Sequence, residues 1–281
     1  MVIIFNDTSE QEATYRAWAP PTVYKYREWK TQNHKDMLAK QQVWFAHPVT
    51  LNDTKDLRPE YAYNQAEIES QDYFEKLLAS APEQFPHVAD RHALYRIAYD
   101  QWQLTIADPR DIFDSARKTI ETDEHFDPYG VFSTSTNDLS KPTWELYADN
   151  FAGYCMGFDT TGLWKQMNCT TGHLVYSNDP FPFSFLKDDT ENDVDILLYK
   201  STQWAYEEEF RFATVAFPSP LRLRTFTPDI VTEVIIGHNM PVAHETELIG
   251  ILKAQYRPDL SVYKTALDAD GTVSKFLITI V

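Results

Sequence analysis

Glu207, Glu208 and Glu209 stand in a row ahead of Phe210 and Arg211, with Lys200, Trp204 and Tyr206 just upstream. If Glu209 opens a strand, Glu207 and Glu209 fall on one face. Two carboxylates on a shared face repel, so they need either a partner or a use. An ion pair with Lys200 or Arg211 is the ordinary alternative to a catalytic role. Tyr24-Lys25-Tyr26-Arg27 is the second segment of interest. Alternation places Lys25 and Arg27 on one face, where two cations suit a diphosphate and arginine grips it with two parallel hydrogen bonds. A solvated strand face is the commoner use of such residues. The third segment, Phe132-Ser133-Thr134-Ser135-Thr136, offers four consecutive hydroxyls that cap a helix or hold a ligand.

These segments need elements to position them. Val23–Arg27 follows Pro20-Pro21 and reads as an early strand; Val43–Ala46, closed by Pro48, reads as a second. Between them, Asn33 is a plausible cap for a helix over 33–42 with Met37 and Leu38 facing inward. Residues 59–128 lack glycine and show helical spacing. One helix carries Ile68, Phe74, Leu77 and Leu78 and is broken at Pro82 and Pro86. A second spans 88–107 with Leu94, Ile97, Ala98 and Leu104 on its inner side. A third is expected over 111–121. Beyond Gly130 the texture turns to strands over 131–135, 153–158, 173–176, 209–217, 233–237 and 261–264. A short helical turn is expected over 143–150, and helices over 193–200 and 242–256. The apolar end, Phe276–Val281, reads as a central strand. Helices early and strands late favour an α+β fold over regular βαβ alternation. The chain is expected to be one domain, 1–281, with 55–128 a helical insertion.

The 281 residues include 25 Lys plus Arg against 42 Asp plus Glu, a formal net charge of −17. Such a charge argues against non-specific nucleic-acid binding while leaving room for a local basic pocket. Hydrophobic residues at 43% suffice for a core. No apolar run reaches the length of a membrane span, and Met1–Phe5 does not read as a secretory leader. With only Cys155 and Cys169 there is no disulfide framework, so a cytoplasmic protein with reduced thiols is expected. Cys155 sits in an expected strand and reads as buried rather than nucleophilic. No phosphate-binding glycine loop and no nucleophile elbow is present, and no histidine pair has a convincing zinc spacing.

The segments VYKYR, VWFAHPVTLND, FSTST, TWELYADNFAGYCMGFD and KSTQWAYEEEFR resemble a large bacterial family of unassigned function, the DUF family numbered twenty-nine seventy-one. The resemblance spans most of the chain outside 55–128, and it carries no activity. Thr54 and Phe151 stand where that family tends to have proline and histidine. The order Arg27, Ser133-Thr134-Ser135, Glu207-Glu208-Glu209 is also similar to the arginine–serine–glutamate class of ADP-ribosyltransferases.

That second resemblance implies a split β-sandwich clasping NAD as substrate, with no metal. Arg27, assisted by Lys25, would hold the pyrophosphate. Ser133, Thr134 and Ser135 would orient the site, and Tyr147 or Trp204 would stack on nicotinamide. Glu209 would stabilise the sugar cation while Glu207 orients the acceptor, whose identity is open. A bacterial toxin or defence effector is the class this implies. The alternatives are a non-catalytic binding module with an aromatic cleft, and a carboxylate-metal nuclease or hydrolase using Glu207, Glu209 and Asp53.

Overall fold

The structure, a computed structural model, describes residues 9–53, 55–110, 126–187, 189–216 and 221–278. The fold is α+β. The chain divides into two compact units. The first comprises Met1–Asn52, Asp127–Tyr176 and Ser201–Val281; the second comprises Asp53–Phe126 and Ser177–Lys200.

The first unit is built on one eight-stranded sheet. Its strands run in the spatial order Val273–Leu277, Ser261–Leu267, Val231–Ile236, Tyr154–Asp159, Thr22–Arg27, Tyr129–Ser135, Glu209–Val215 and Thr170–His173. Val231–Ile236 and Ser261–Leu267 pair in parallel, joined through the helix Val242–Gln255, as a parallel pair requires a crossover. The other ladders are antiparallel.

Alternation gives this sheet two different faces. On one, Val23, Phe132, Tyr154, Met156, Phe210 and Phe212 join Tyr15, Met37, Leu38, Leu163, Trp164, Leu248 and Leu252 in the large core. Four helices cover it: Ser9–Trp18, Gln32–Ala39, Thr160–Met167 and Val242–Gln255. On the other face Tyr26, Cys155 and Ile235 pack with Trp144, Ala148 and Phe151. Trp144 belongs to the helix Lys141–Tyr147 and stacks on Phe151 at 5.4 Å, so it is a core residue. Asp149, Asn150 and Phe151, which leave that helix, all have φ between 51° and 65°. The left-handed run brings the Phe151 carbonyl so close to Gly237 that a Cβ there would lie 2.5 Å from the carbonyl carbon.

The second unit holds the helices Gln71–Gln84, Arg91–Ala107 and Asp189–Leu197 and the parallel pair Tyr61–Tyr63 with Phe181–Phe183. Ile68, Tyr73, Phe74, Leu77, Ala98 and Phe185 form its core. The segment 177–200 thus joins the expected insertion as part of one unit.

Several elements differ from the sequence reading. Pro82 lies inside Gln71–Gln84 instead of ending it. A proline near a helix end removes a single intrahelical bond, and the buried Tyr73, Phe74, Leu77 and Ala81 stripe holds the turn in place. Leu104 is 68% exposed, because the buried stripe of its helix runs through Leu94, Ala98 and Thr105. The helix expected to begin at Asn33 begins at Gln32, with Thr31 as its cap residue. The last strand, Val273–Leu277, is at the sheet edge, pairing only with Ser261–Leu267 and leaving Phe276 and Leu277 exposed. Residues 279–281 and the helix expected over 111–121 lie outside the described residues. The helices Ser9–Trp18 and Thr160–Met167 were not anticipated.

Candidate functional site

The strands bearing Arg27, Ser133–Ser135 and Glu209 are neighbours in the sheet. Tyr24 lies opposite Ser135, and Ser135 lies opposite Glu209. Directly opposed residues project from the same face. Tyr24, Ser135 and Glu209 therefore share a face, and so do Ser133 and Arg211, which oppose each other one pleat along. This is the face of Tyr26, Trp144 and Tyr147.

Glu207 ends a short 3-10 turn, Thr202–Glu207, which also carries Trp204 and packs against the Lys141–Tyr147 helix. Glu208 then takes φ 43°, a left-handed conformation that turns the chain into the strand beginning at Glu209. The Ser135 strand end fastens this turn. Ser135 Oγ donates to the Glu207 carbonyl at 2.6 Å, and the Thr136 amide donates to the Glu208 carbonyl at 2.9 Å. Asn137 Nδ2 donates to the Glu208 carboxylate at 2.8 Å. Glu207 and Glu209 are thereby carried inward while Glu208 stays exposed.

The two buried carboxylates meet different partners. Arg211 donates from Nε and a terminal nitrogen to both oxygens of Glu209, at 2.7 and 3.1 Å. Both side chains are buried, and the two parallel hydrogen bonds fix the geometry of the pair. The Glu209 amide donates to Tyr176 Oη at 2.8 Å. Glu207 accepts at 2.6 Å from Tyr147 Oη, which in turn accepts from Asn52 Nδ2 at 2.7 Å. Burial, reinforced by the neighbouring Glu207 charge, pushes the Tyr147 phenol up, so it stays protonated and donating at neutral pH.

Lys25 and Arg27 do not join this arrangement. They oppose Met156 and Tyr154, both in the large core, and so project from the other face. Lys25 donates to the Ser133 backbone carbonyl and lies 5.1 Å over the Phe132 ring. The expected shared face of Lys25 and Arg27 is present. The expected convergence of Arg27 with the glutamates is corrected, because strand register assigns them opposite sides of the sheet. Thr134 also points to the large core side, opposite Phe210, and its hydroxyl donates to the Phe210 carbonyl at 2.5 Å. Tyr147 enters as a hydrogen-bond donor to a carboxylate rather than as a stacking ring. Trp204 is partly buried, with its ring 6.1 Å from that of Tyr206.

The sequence pointed to Glu207, Glu209 and Arg211 but not to Asn52, Asn137 or Tyr176. Asn52 and Tyr176 reach the site from other segments with no local signal, whereas Asn137 directly follows the hydroxyl run Ser133-Thr134-Ser135-Thr136 and so adjoins a segment that the sequence singles out. Cys155 is fully buried, and burial pushes its thiol well up. Among the described residues, no group of three or more His, Cys, Asp or Glu is placed to hold a metal ion. Nor is any helix among them long and apolar enough to cross a membrane.

A family model described as a protein of unknown function, DUF2971, matches residues 143–212. That interval holds Tyr147, Trp204, Glu207, Glu209 and Arg211 and leaves out Lys25, Arg27 and Ser133–Ser135. No curated protein matches the chain. No solved structure matches it either.

Proposed function

We propose that the face built from Tyr147, Ser133, Ser135, Glu207, Glu209 and Arg211 binds a dinucleotide of the NAD class and breaks its nicotinamide–ribose bond. The bond's electron pair leaves with the nicotinamide nitrogen, and positive charge builds on the sugar. A nucleophile, water or a side chain, then bonds to the sugar carbon and releases a proton. A fixed carboxylate in a water-poor site favours that charged state over the neutral ground state. Glu207 takes this role in place of Glu209, whose two oxygens already receive the Arg211 fork. Glu209 and Arg211 form the rigid base of the site.

The observation that supports the reading is the juxtaposition of Glu207 with Tyr147 at 2.6 Å beside the opposed pair Ser135 and Glu209. The eight strands are continuously bonded, and the split-sandwich architecture remains part of this proposal. One observation favours a second reading, a binding module without turnover: the Glu209–Arg211 pair locks one of the two carboxylates.

The test is incubation with NAD, reading nicotinamide release and the shift in melting temperature together. Release that is lost in Glu207→Gln but persists in Tyr147→Phe at a reduced rate supports the enzymatic reading. A melting shift without release, absent in Glu207→Gln, establishes the binding module instead. No shift and no release overturns both.

A further inference from the structure

The charges set apart on the opposite face have their own organisation. Arg27 ends the central strand partly buried, and among the described residues its guanidinium makes no hydrogen bond and no ion pair. A guanidinium withdrawn from water without a partner is costly, and arginine cannot shed its charge to relieve it. Opposite Arg27 in the ladder is Tyr154, whose hydroxyl donates to the His34 carbonyl at 2.6 Å. This bond anchors the Gln32–Ala39 helix beside the arginine. His34 Nδ1 is buried and has no hydrogen-bond partner. Its nearest acid, Glu28, stands 3.6 Å away, beyond hydrogen-bond range, and already accepts from the Thr31 hydroxyl. Thr31 makes no side-chain cap to the helix that follows it. Lys25, one pleat back on the same face, adds a second cation.

We infer that Arg27, His34 and Lys25 form a binding site for an oxyanion of the phosphate class, separate from the Glu207 face. The guanidinium supplies the paired donors, His34 Nδ1 a third, and Lys25 the background charge. The unbound protein bears the expected electrostatic mark. Burial together with the Arg27 and Lys25 charges pulls His34 down to about 4, against the opposing pull of Glu28. Burial also lowers the pKa of Arg27. An anion seated among these groups reverses both trends.

Three measurements test the site, with inorganic phosphate as the probe. First, the titration of the His34 imidazole is followed by NMR with and without phosphate, assigned by its loss in His34→Gln. The groups facing it are Lys25, Arg27, Glu28 and Tyr154. Phosphate is expected to raise the His34 midpoint by at least one pH unit. Second, at a tenfold excess over Kd, phosphate is expected to raise the melting temperature by roughly 3 °C. Third, Arg27→Met is expected to melt no lower than the parent without phosphate, because a charge that burial disfavours and Glu28 and Tyr154 only partly offset has been removed, and to lose the phosphate response. Should that variant fail to fold, the His34 titration of the parent decides alone. The same measurements with adenosine monophosphate distinguish a free anion from a phosphorylated metabolite. An unmoved His34 midpoint, or an equal response in Arg27→Met, overturns the inference. Glu207→Gln leaves the response intact if the site is independent of the proposed function.

Discussion

Separating Glu209 from Arg211 has a worked consequence. Their side chains are 2% and 0% exposed, joined by hydrogen bonds of 2.7 and 3.1 Å. Removing one partner of such a pair takes from the other its bidentate contact inside the core, a loss of about 3–5 kcal/mol. Glu209→Gln and Arg211→Met are each expected to lose that much, yet they should differ with pH. The carboxylate that loses its bidentate donor in Arg211→Met can take up a proton, so its deficit shrinks between pH 7 and pH 5. The guanidinium that loses its bidentate acceptor in Glu209→Gln cannot shed a proton, so its deficit persists. The double variant should lose less than the sum of the singles, with a coupling of about 2 kcal/mol or more. Urea unfolding of all four proteins at both pH values, read by circular dichroism, measures each quantity. Single losses below about 1 kcal/mol, or a strictly additive double variant, would refute the reasoning that the pair is desolvated and mutually dependent.

Three further outcomes are expected. Gly237→Ala places a Cβ against the Phe151 carbonyl backbone, which cannot move without undoing three left-handed residues, so a loss of about 3 kcal/mol or more is expected in chemical denaturation. His34, His173 and His238 all have pKa values lowered by burial, His34 to about 4, so unfolding takes up protons below about pH 6.5. Stability is therefore full above that pH and declines as pH falls toward 4; His34→Gln should flatten this decline, and an unchanged slope would contradict it. Burial pushes Cys155 well up and Cys169 to about 12, so neither should react with a thiol reagent at pH 8 until the protein unfolds, as a chromogenic disulfide assay would report.

Local pattern was enough to place the strands at Thr22–Arg27 and Glu209–Val215 and the helix Val242–Gln255. Period and turn residues determine such elements directly. The inward pair Glu207 and Glu209 was also legible, with Arg211 as a candidate partner. What could not be read was which side of the sheet each strand shows its neighbour. Lys25 and Arg27 are correctly paired with each other, yet Ser135 opposes Tyr24 and Glu209 opposes Ser135, which puts Glu209 on the face of Tyr24, and only long-range register decides this. A shift of one residue would have put Arg27 on the Glu209 side. The apolar run at Phe276 misled for a related reason, since hydrophobicity does not distinguish an edge position from a central one. Asn52 reaches Tyr147 across 95 residues of sequence, beyond the reach of any local motif.

The left-handed turn at Glu208 has a consequence for the neighbouring glutamates. Three identical letters receive three destinations: one beneath a tyrosine, one in solvent, one clamped by an arginine. Deleting any one of them yields the same shortened text, so the spelling cannot say which was lost. The backbone alone assigns the roles, and the survivors would have to be dealt out afresh among the tyrosine, the water and the arginine.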